Sequence, residues 1–197
     1  MRIALDLDGV LANYVKSFAT FLHNKTKLIG PNWEPTEWHF DVPGLSRTQV
    51  SKFRKEMQQE EDFWLHISPY PQSLQAMQDF LRLHPEHDVM YLTARPYNEK
   101  NSTIAQTNMW LTKHHIQNAR TTLVIVEDHT HKAAVLRATG TVYFVDDRVA
   151  TVLETHKVES CKSYLLTRPW NFDGIMENDH INTVGTLEDF FDKVLHG

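Results

Sequence analysis

The sequence is poor in cysteine, in long apolar runs and in clustered charge of one sign. It holds a single cysteine, Cys161, so neither a disulfide framework nor a cysteine-based metal site can form within the chain. No run of about 18 apolar residues occurs, which argues against a membrane-spanning helix. The formal net charge is -5 and no block of like charges appears, which argues against binding to a nucleic acid polymer.

The remaining composition is that of a globular protein. The chain has 197 residues, of which 41% are hydrophobic and 23% charged, enough for one domain or for one domain with a modest insertion. The start, MRIALDLDGV, lacks the apolar region of a signal peptide, so we expect a cytoplasmic protein without a membrane partner. The histidines are scattered and suggest no zinc site, since His129 and His131 have no third ligand nearby.

Apolar strands and amphipathic helices alternate regularly after residue 70. Strands are predicted over 3–7, 88–93, 122–127, 141–146 and 162–167. Helices are predicted over 72–83, 99–116, 131–138, 148–156 and 186–195. Because the strands are apolar runs rather than strict alternations, they suit a parallel sheet that is covered on both faces. We therefore expect an α/β fold with a Rossmann-like parallel sheet of five strands.

The segment between the first strand and residue 71 has a different character. Helical spacing begins at Tyr14 after the N-cap candidate Asn13, and a polar helix over 46–62 begins after Ser46. Residues 27–45 between them are rich in proline and tryptophan and predict irregular structure. We expect a small helical cap inserted after strand 1. The predicted division is a core domain over 1–13 and 71–197 and a cap over 14–70.

Charged and hydroxyl side chains lie at the ends of the predicted strands or, for Lys132, just beyond a strand in the next predicted helix. In a parallel sheet, ligands bind at the carboxyl ends of the strands, so these residues are expected to converge. They are Asp6, Asp8, Thr93, Lys132, Asp146 and Asp147. Carboxylates without soft ligands select Mg²⁺, which also binds substrate phosphate. The predicted metal ligands are Asp6, Asp8 and Asp146.

These residues carry a resemblance to a known superfamily. DLDGV at 6–10, Thr93, Lys132 and Asp146-Asp147 match, in order, the four motifs of the haloacid dehalogenase-like hydrolases. The stretches DLDGVLANY, DFWLHISPYPQSLQAM, YLTARP and FVDDR look like the 5'(3')-deoxyribonucleotidase (5'-nucleotidase type C) group and its uncharacterised bacterial and phage relatives. Arg95 in YLTARP departs from the usual residue of the characterised mammalian enzymes.

The resemblance implies different catalytic and metal-binding roles for the four acids. Asp6 is expected to be the nucleophile and a Mg²⁺ ligand. Asp8 is expected to be the general acid and then the general base, and its backbone carbonyl reaches the metal. Asp146 is expected to bind the metal directly, and Asp147 to bind it through water or to orient its ligands. For Asp147 the competing interpretation is a helix N-cap.

The resemblance also implies a phosphate site made by Thr93 and Lys132. Taken alone, Thr93 is an ordinary threonine at a strand end, and Lys132 an ordinary solvated lysine on a helix. A cation at Lys132 would neutralise charge on the transferring phosphoryl oxygens. Both residues are therefore candidates because of their place in the series of motifs.

Four further residues are candidates for contact with substrate. Arg95, two residues after Thr93, either binds phosphate or sugar or, like Arg168, is a surface or ion-pair residue. The aromatic residues Tyr14, Phe63 and Trp64 either form a wall that stacks on a nucleobase or belong to the core of the insertion.

The function expected from these residues is Mg²⁺-dependent hydrolysis of a phosphate monoester through an aspartyl-phosphate. A (deoxy)nucleoside monophosphate is the preferred substrate. One alternative is a phosphatase for a sugar phosphate or another small phosphometabolite. The other is a non-catalytic nucleotide- or phosphate-binding module. The sequence leaves the oligomeric state open, with a homodimer as one option.

Overall fold

The computed structural model describes residues 1–178 and 180–197 and shows an α/β fold built on one parallel sheet. The described strands are β1 Arg2–Leu5, β2 Asp88–Thr93, β3 Thr121–Ile125, β4 Tyr143–Asp146, β5 Lys162–Leu166 and β6 Thr183–Val184. They lie in the order β3-β2-β1-β4-β5-β6. The parallel α/β prediction is confirmed, and the count of five strands was wrong.

The central strand β1 fixes the position of the candidate site. Leu5 pairs with Tyr91 of β2 on one side and with Val145 of β4 on the other, both in parallel register. The chain builds β2 and β3 on one side of β1 and then crosses over to β4. This reversal of strand order opens a crevice at the carboxyl ends of β1 and β4, where ligands bind in doubly wound folds.

Nine helices are assigned within the described residues. They are α1 Tyr14–Thr26, α2 Arg47–Gln58, α3 Phe63–His66, α4 Pro71–Leu83, α5 Thr103–Lys113, α6 Lys132–Thr139, α7 Val149–Thr155, α8 Phe172–Met176 and α9 Leu187–His196. Helices cover both faces of the sheet, so alternate residues of its strands face two separate apolar clusters. Leu5 and Tyr91 belong to the larger cluster, whereas Ala4 and Leu92 belong to the smaller one.

Helix ends follow the sequence signals closely. The Asn13 side chain accepts a hydrogen bond from the Lys16 backbone N–H at 2.9 Å and caps α1. Ser46 forms a capping box at the start of α2, and Gly140 adopts the left-handed conformation that ends α6. Among the described residues, no helix is both long enough and apolar enough to cross a membrane.

The sixth strand is the main correction to the predicted elements. β6 contains only Thr183 and Val184, so no alternation of apolar residues exists to reveal it in the sequence. Its pairing with Leu165 and Leu166 of β5 creates it. The predicted helix over 46–62 was also too long, because α2 ends at Gln58 and the separate short helix α3 begins at Phe63.

We define residues 14–70 as the insertion, which contains α1, α2 and α3. Its buried residues, such as Phe18 and Trp64, belong to the same apolar cluster as Leu5 of β1 and Trp110 of α5. The insertion is therefore packed continuously onto the sheet. Its status as a separate cap domain stays a prediction.

Candidate active site

A tight loop after β1 places the first two acids at the crevice. The Asp6 backbone N–H donates to the Val145 carbonyl at 3.0 Å and continues the ladder with β4. The Leu7 carbonyl then accepts from Ala12 at 2.7 Å and from Leu11 at 2.8 Å, which closes the turn. Gly9 lies in this turn at φ +82°, a conformation that favours glycine.

Three carboxylates of the two central strands meet at the crevice. Asp6, Asp146 and Asp147 each offer one oxygen, and these oxygens lie within 4.8 Å of one another. All three residues are buried. The Lys132 side chain is also buried, and its Nζ donates to Asp146 Oδ2 at 2.8 Å and lies 3.0 Å from Asp6 Oδ1 in an ion pair. One lysine therefore faces three acids.

Burial raises the pKa values of two acids of this cluster, Asp6 and Asp147. It raises the pKa of Asp6 to about 7, with smaller contributions from the charges of Asp146 and Asp8, against the opposing effect of Lys132. Burial and the charges of Asp146 and Asp6 also raise the pKa of Asp147 well above its ordinary value. A divalent cation among these oxygens would favour the ionised forms. The donor set consists of hard oxygen ligands, as Mg²⁺ prefers, so the residues fit this cation.

The loop after β5 holds Asp147 in place. The Trp170 indole N–H donates to Asp147 Oδ2 at 2.9 Å, and the Asn171 side-chain amide donates to the Asp147 carbonyl at 2.9 Å. Local sequence patterns did not reveal the role of Trp170, since its contact with Asp147 spans 23 residues of sequence. Asp147 therefore faces the cluster and does not serve as a helix N-cap.

Asp8 is held by a buried arginine. Arg95 Nε donates to Asp8 Oδ2 at 2.9 Å, and Arg95 Nη2 donates to Asp8 Oδ1 at 3.0 Å. Arg95 Nη1 donates to Thr107 Oγ1 at 3.0 Å, and the guanidinium lies 4.6 Å from the ring centre of Trp64. The surface interpretation of Arg95 was wrong, and the structure shows the ion-pair alternative. Thr93 Oγ1 lies 3.5 Å from Asp8 Oδ2.

Arg168 also differs from the surface or ion-pair residue that was expected. Its Nε donates to the Gly9 carbonyl at 2.7 Å, and its guanidinium lies 4.1 Å from the ring centre of Tyr70. It therefore ties the loop after β5, which holds Asp147, to the loop after β1, which carries Asp6.

A cavity of about 210 Å³ lies between the carboxylate cluster and the insertion. From the sheet it is lined by Asp6, Asp8, Thr93, Lys132, Asp146 and Asp147. From the insertion it is lined by Tyr14, Trp38, Phe40, Arg54, Gln58 and Trp64, among others. The structure thus brings the six residues predicted at the strand ends to one cavity. Of the predicted aromatic residues, Tyr14 and Trp64 line it.

Phe63 takes a different position from its neighbour. Its ring packs edge-on against Trp64 with 4.7 Å between ring centres, and it is not among the residues that line the cavity. Sequence reasoning also missed Arg54 and Arg148, which do line it. Arg54 stands in a polar helix whose basic residues look alike in sequence, so only its tertiary position distinguishes it.

Comparisons with known proteins agree on the fold. No protein-family model matches the sequence, and no curated protein matches it either. Solved structures match along nearly the whole chain. A protein from Burkholderia xenovorans named as a haloacid dehalogenase-like hydrolase is 12% identical with a TM-score of 0.53, over 97% of this chain and 94% of that one.

Two further structures give the same picture. A Thermotoga maritima protein named as a beta-phosphoglucomutase is 14% identical with a TM-score of 0.53, over 98% of both chains. CbbY from Rhodobacter sphaeroides, in complex with phosphate, is 11% identical with a TM-score of 0.50, over 95% of both chains. At these identities the likeness shows the fold alone. This chain therefore has the fold of haloacid dehalogenase-like hydrolase structures.

Proposed function

We propose that this protein is a Mg²⁺-dependent phosphate monoester hydrolase that forms an aspartyl-phosphate on Asp6. The observation that carries the proposal is the buried cluster of Asp6, Asp146 and Asp147 with Lys132, placed beside a cavity at the reversal of strand order. So many buried carboxylates are costly to fold without a cation or a substrate to compensate them.

The cation would be held mainly by side chains of β1 and β4. Asp6 and Asp146 would bind it directly, Asp147 directly or through water, and the backbone carbonyl of Asp8 would complete the set. When bound, Mg²⁺ would reduce the repulsion between the Asp6 carboxylate and the anionic phosphoryl group. Trp170 orients Asp147 for this purpose through its hydrogen bond of 2.9 Å.

The chemical steps follow from the residues of the cavity. An ionised Asp6 oxygen attacks phosphorus, the bond from phosphorus to the ester oxygen breaks, and that oxygen leaves with a proton from Asp8. Water then attacks the aspartyl-phosphate and gives a proton back to Asp8, which releases phosphate and restores the Asp6 carboxylate. Lys132 and Thr93, which both line the cavity, stabilise the phosphoryl oxygens during both steps in this proposal.

The ion pair with Arg95 constrains the role of Asp8. Both Asp8 oxygens accept hydrogen bonds from Arg95, so this ion pair restrains the orientation of the Asp8 side chain. Acid catalysis would then involve a rotation of the Asp8 side chain toward the leaving group. We propose that closure of the insertion as a cap over bound substrate accompanies this rotation and excludes water.

Two substrate classes are supported by different observations. The aromatic side chains of Tyr14, Trp38 and Trp64 line the cavity and favour a nucleoside monophosphate, since aromatic rings stack on bases. The volume of about 210 Å³ is below the roughly 300 Å³ at which sites for drug-sized ligands begin, and favours a smaller sugar phosphate. The name of the beta-phosphoglucomutase with the same fold agrees with this alternative.

Phosphate release from a panel of substrates tests the proposal. The panel comprises ribo- and deoxyribonucleoside monophosphates and sugar phosphates, each with Mg²⁺ and with EDTA. We expect release that requires Mg²⁺ and that falls by a factor of about 10⁴ or more in Asp6→Asn. Asp192→Asn on the exposed side of α9 is the matched control and should retain full activity.

Two other outcomes would contradict the proposal. A folded wild-type protein that binds Mg²⁺ and phosphate esters but releases no phosphate would be a binding module. Release that persists unchanged in Asp6→Asn would show that Asp6 is not the nucleophile. The preferred substrate of the active wild-type protein would decide between the nucleotide and the sugar phosphate.

A further inference from the structure

Unpaired polar atoms in the protein interior converge on one cavity. Within residues 1–178 and 180–197, each buried side-chain nitrogen or oxygen without a hydrogen-bond partner belongs to a residue that lines the cavity described above. The atoms are Arg54 Nε, Arg54 Nη2, Trp64 Nε1 and Thr151 Oγ1, whereas Asp6 Oδ1, which also lines the cavity, is held in the ion pair with Lys132 at 3.0 Å. Buried polar groups are nearly always paired in folded proteins, so this concentration indicates a place for a ligand.

Two of these residues are pure donors, and both come from the insertion. Arg54 of α2 and Trp64 of α3 have no acceptor atom on their side chains. The Arg54 guanidinium lies 4.1 Å from the ring centre of Phe40 and 5.7 Å from that of Phe18. These rings stabilise the cation but accept no conventional hydrogen bond. Its buried N–H groups are therefore left for an acceptor that enters the cavity.

Nothing else in the described part of the chain neutralises Arg54. No ion pair of Arg54 occurs there, although its helix neighbour Arg47 pairs with Asp41 at 3.1 Å. Burial lowers the pKa of Arg54, which reflects the cost of placing its charge away from water. A buried donor left unsatisfied in this way destabilises the fold, and an acceptor on a ligand would remove that cost.

Tyr14 of α1 adds a third donor. Its phenolic oxygen accepts a hydrogen bond of 3.0 Å from the Gln58 side-chain amide, so its own proton is free to be donated. Burial raises the pKa of Tyr14, and the phenol stays protonated at neutral pH. Each of the three helices of the insertion thus contributes one donor side chain to the same cavity.

We propose that Arg54, Trp64 and Tyr14 form a subsite of three donors that recognises an acceptor oxygen on the leaving group of the substrate. We assign this oxygen to a carbonyl or a carboxylate, each of which offers acceptors and no donor. This inference rests on the proposed function. With phosphate against Asp6 and Lys132, the rest of the substrate faces the insertion, where the three donors lie.

Matched substrate pairs test the subsite and distinguish the two sources of the oxygen. Inosine monophosphate and purine riboside monophosphate differ by one ring carbonyl and the N–H group beside it. Phosphoglycolate and ethyl phosphate differ by one carboxylate oxygen pair. For each pair, kcat/KM is measured with Mg²⁺ for the wild-type protein and for Arg54→Met, Trp64→Phe and Lys52→Met. Dissociation constants of the same compounds are measured on Asp6→Asn.

The variants are chosen to separate recognition from packing. Arg54→Met keeps an unbranched apolar stem against Phe40 but removes the donors, and Trp64→Phe keeps an aromatic ring but removes the N–H. Lys52→Met removes a positive charge from an exposed position of the same helix. Thermal melts and circular dichroism establish that each variant is folded.

We expect the kcat/KM of the wild-type protein to be about 10- to 100-fold higher for the oxygen-bearing member of at least one pair. A hydrogen bond from a charged donor typically produces a preference of this size. Arg54→Met should reduce this preference to near unity, Trp64→Phe should reduce it partly, and Lys52→Met should leave it unchanged. The pair that shows the preference identifies the oxygen as a carbonyl or a carboxylate.

Failure of this inference is distinct from failure of the proposed function. If the wild-type protein hydrolyses both members of each pair equally, the proposed hydrolase activity is supported and the proposed subsite is wrong. If Arg54→Met lowers kcat/KM for both members by the same factor, Arg54 has a structural role and the subsite is also wrong. If no compound is hydrolysed but Asp6→Asn and the wild-type protein bind the oxygen-bearing member selectively, the proposed subsite is supported and the proposed hydrolase activity is wrong.

Discussion

At the scale of single residues, Arg95 combines more roles than its sequence position suggests. It holds both oxygens of Asp8, donates to Thr107 and packs against Trp64 of the insertion. Its side chain is fully buried, whereas that of Asp8 keeps 21% exposure. Arg95 therefore links the loop after β1 to α5 and to the insertion.

Replacing Arg95 by methionine should destabilise the protein, because it leaves Asp8 and Thr107 without their donor. Breaking a buried ion pair from one side costs about 3–5 kcal/mol, and we expect the lower end since water reaches Asp8. Urea denaturation of Arg95→Met measures the change in the free energy of unfolding. Arg82→Met, at an exposed ion pair on α4, should change it by less than about 1 kcal/mol. Equal effects of the two substitutions would contradict the importance of burial.

At the scale of elements, three arginines outside the insertion contact its aromatic residues. The pairs are Arg95 with Trp64 at 4.6 Å, Arg148 with Trp38 at 5.0 Å and Arg168 with Tyr70 at 4.1 Å between the guanidinium carbon and the ring centre. Each arginine follows a strand of the sheet, and each ring belongs to the insertion. These contacts fix how the insertion sits over the carboxylate cluster.

The turn after β1 depends on a glycine for two separate reasons. Gly9 has φ +82°, and a Cβ at this position would collide with the Asp147 carboxylate. Gly140 at the end of α6 has φ +62°, but a Cβ there would meet open space. Gly140 therefore tests only the backbone requirement for glycine. Gly9 tests that requirement together with the lack of room beside Asp147.

Gly9→Ala and Gly140→Ala should have different consequences. Both should lose about 1–2 kcal/mol of stability, because alanine is strained in the left-handed conformation. Gly9→Ala should lose more, and it should also lose the rise in melting temperature that Mg²⁺ gives, since Asp147 is displaced. Thermal melts of both variants with Mg²⁺ and with EDTA measure this. A Mg²⁺ response of Gly9→Ala as large as that of Gly140→Ala would contradict the role assigned to the turn.

At the scale of the whole molecule, the sheet concentrates negative charge where its strand order reverses. Burial raises the pKa of Asp6 from 3.8 to about 7, so the folded protein binds more protons than the unfolded chain between these values. The free energy of unfolding without metal should therefore fall as pH rises from about 4 to about 7. Above that range Asp6 is ionised in both states and adds no further slope.

Magnesium should oppose this loss of stability, because it favours the ionised carboxylates of the folded state. The rise in melting temperature on adding Mg²⁺ should accordingly be larger near pH 8 than near pH 5. Asp6→Asn should show a smaller dependence of stability on pH in EDTA, while Asp192→Asn should behave like the wild-type protein. A Mg²⁺ effect that is the same at both pH values would argue against a metal site at Asp6.

Local patterns in the sequence were sufficient for the parallel sheet and for most helices. The strand over 88–93 coincides with β2, and Asn13 and Ser46 begin helices as predicted. These features depend on residues within about one turn or one strand of each other. By contrast, β6 exists through its pairing with β5, and two residues carry too little pattern to predict it.

The sequence by itself determined which acids meet, because the carboxyl ends of parallel strands meet at one edge of the sheet. Asp6, Asp8, Asp146 and Asp147 are recognisable there from the apolar runs that precede them. Only the tertiary structure decided what surrounds these acids. Arg95 and Trp170 reach them across 87 and 23 residues of sequence, and Arg54 is left unpaired beside the cavity. Contacts across such separations depend on how the insertion and loops pack, which no local periodicity encodes.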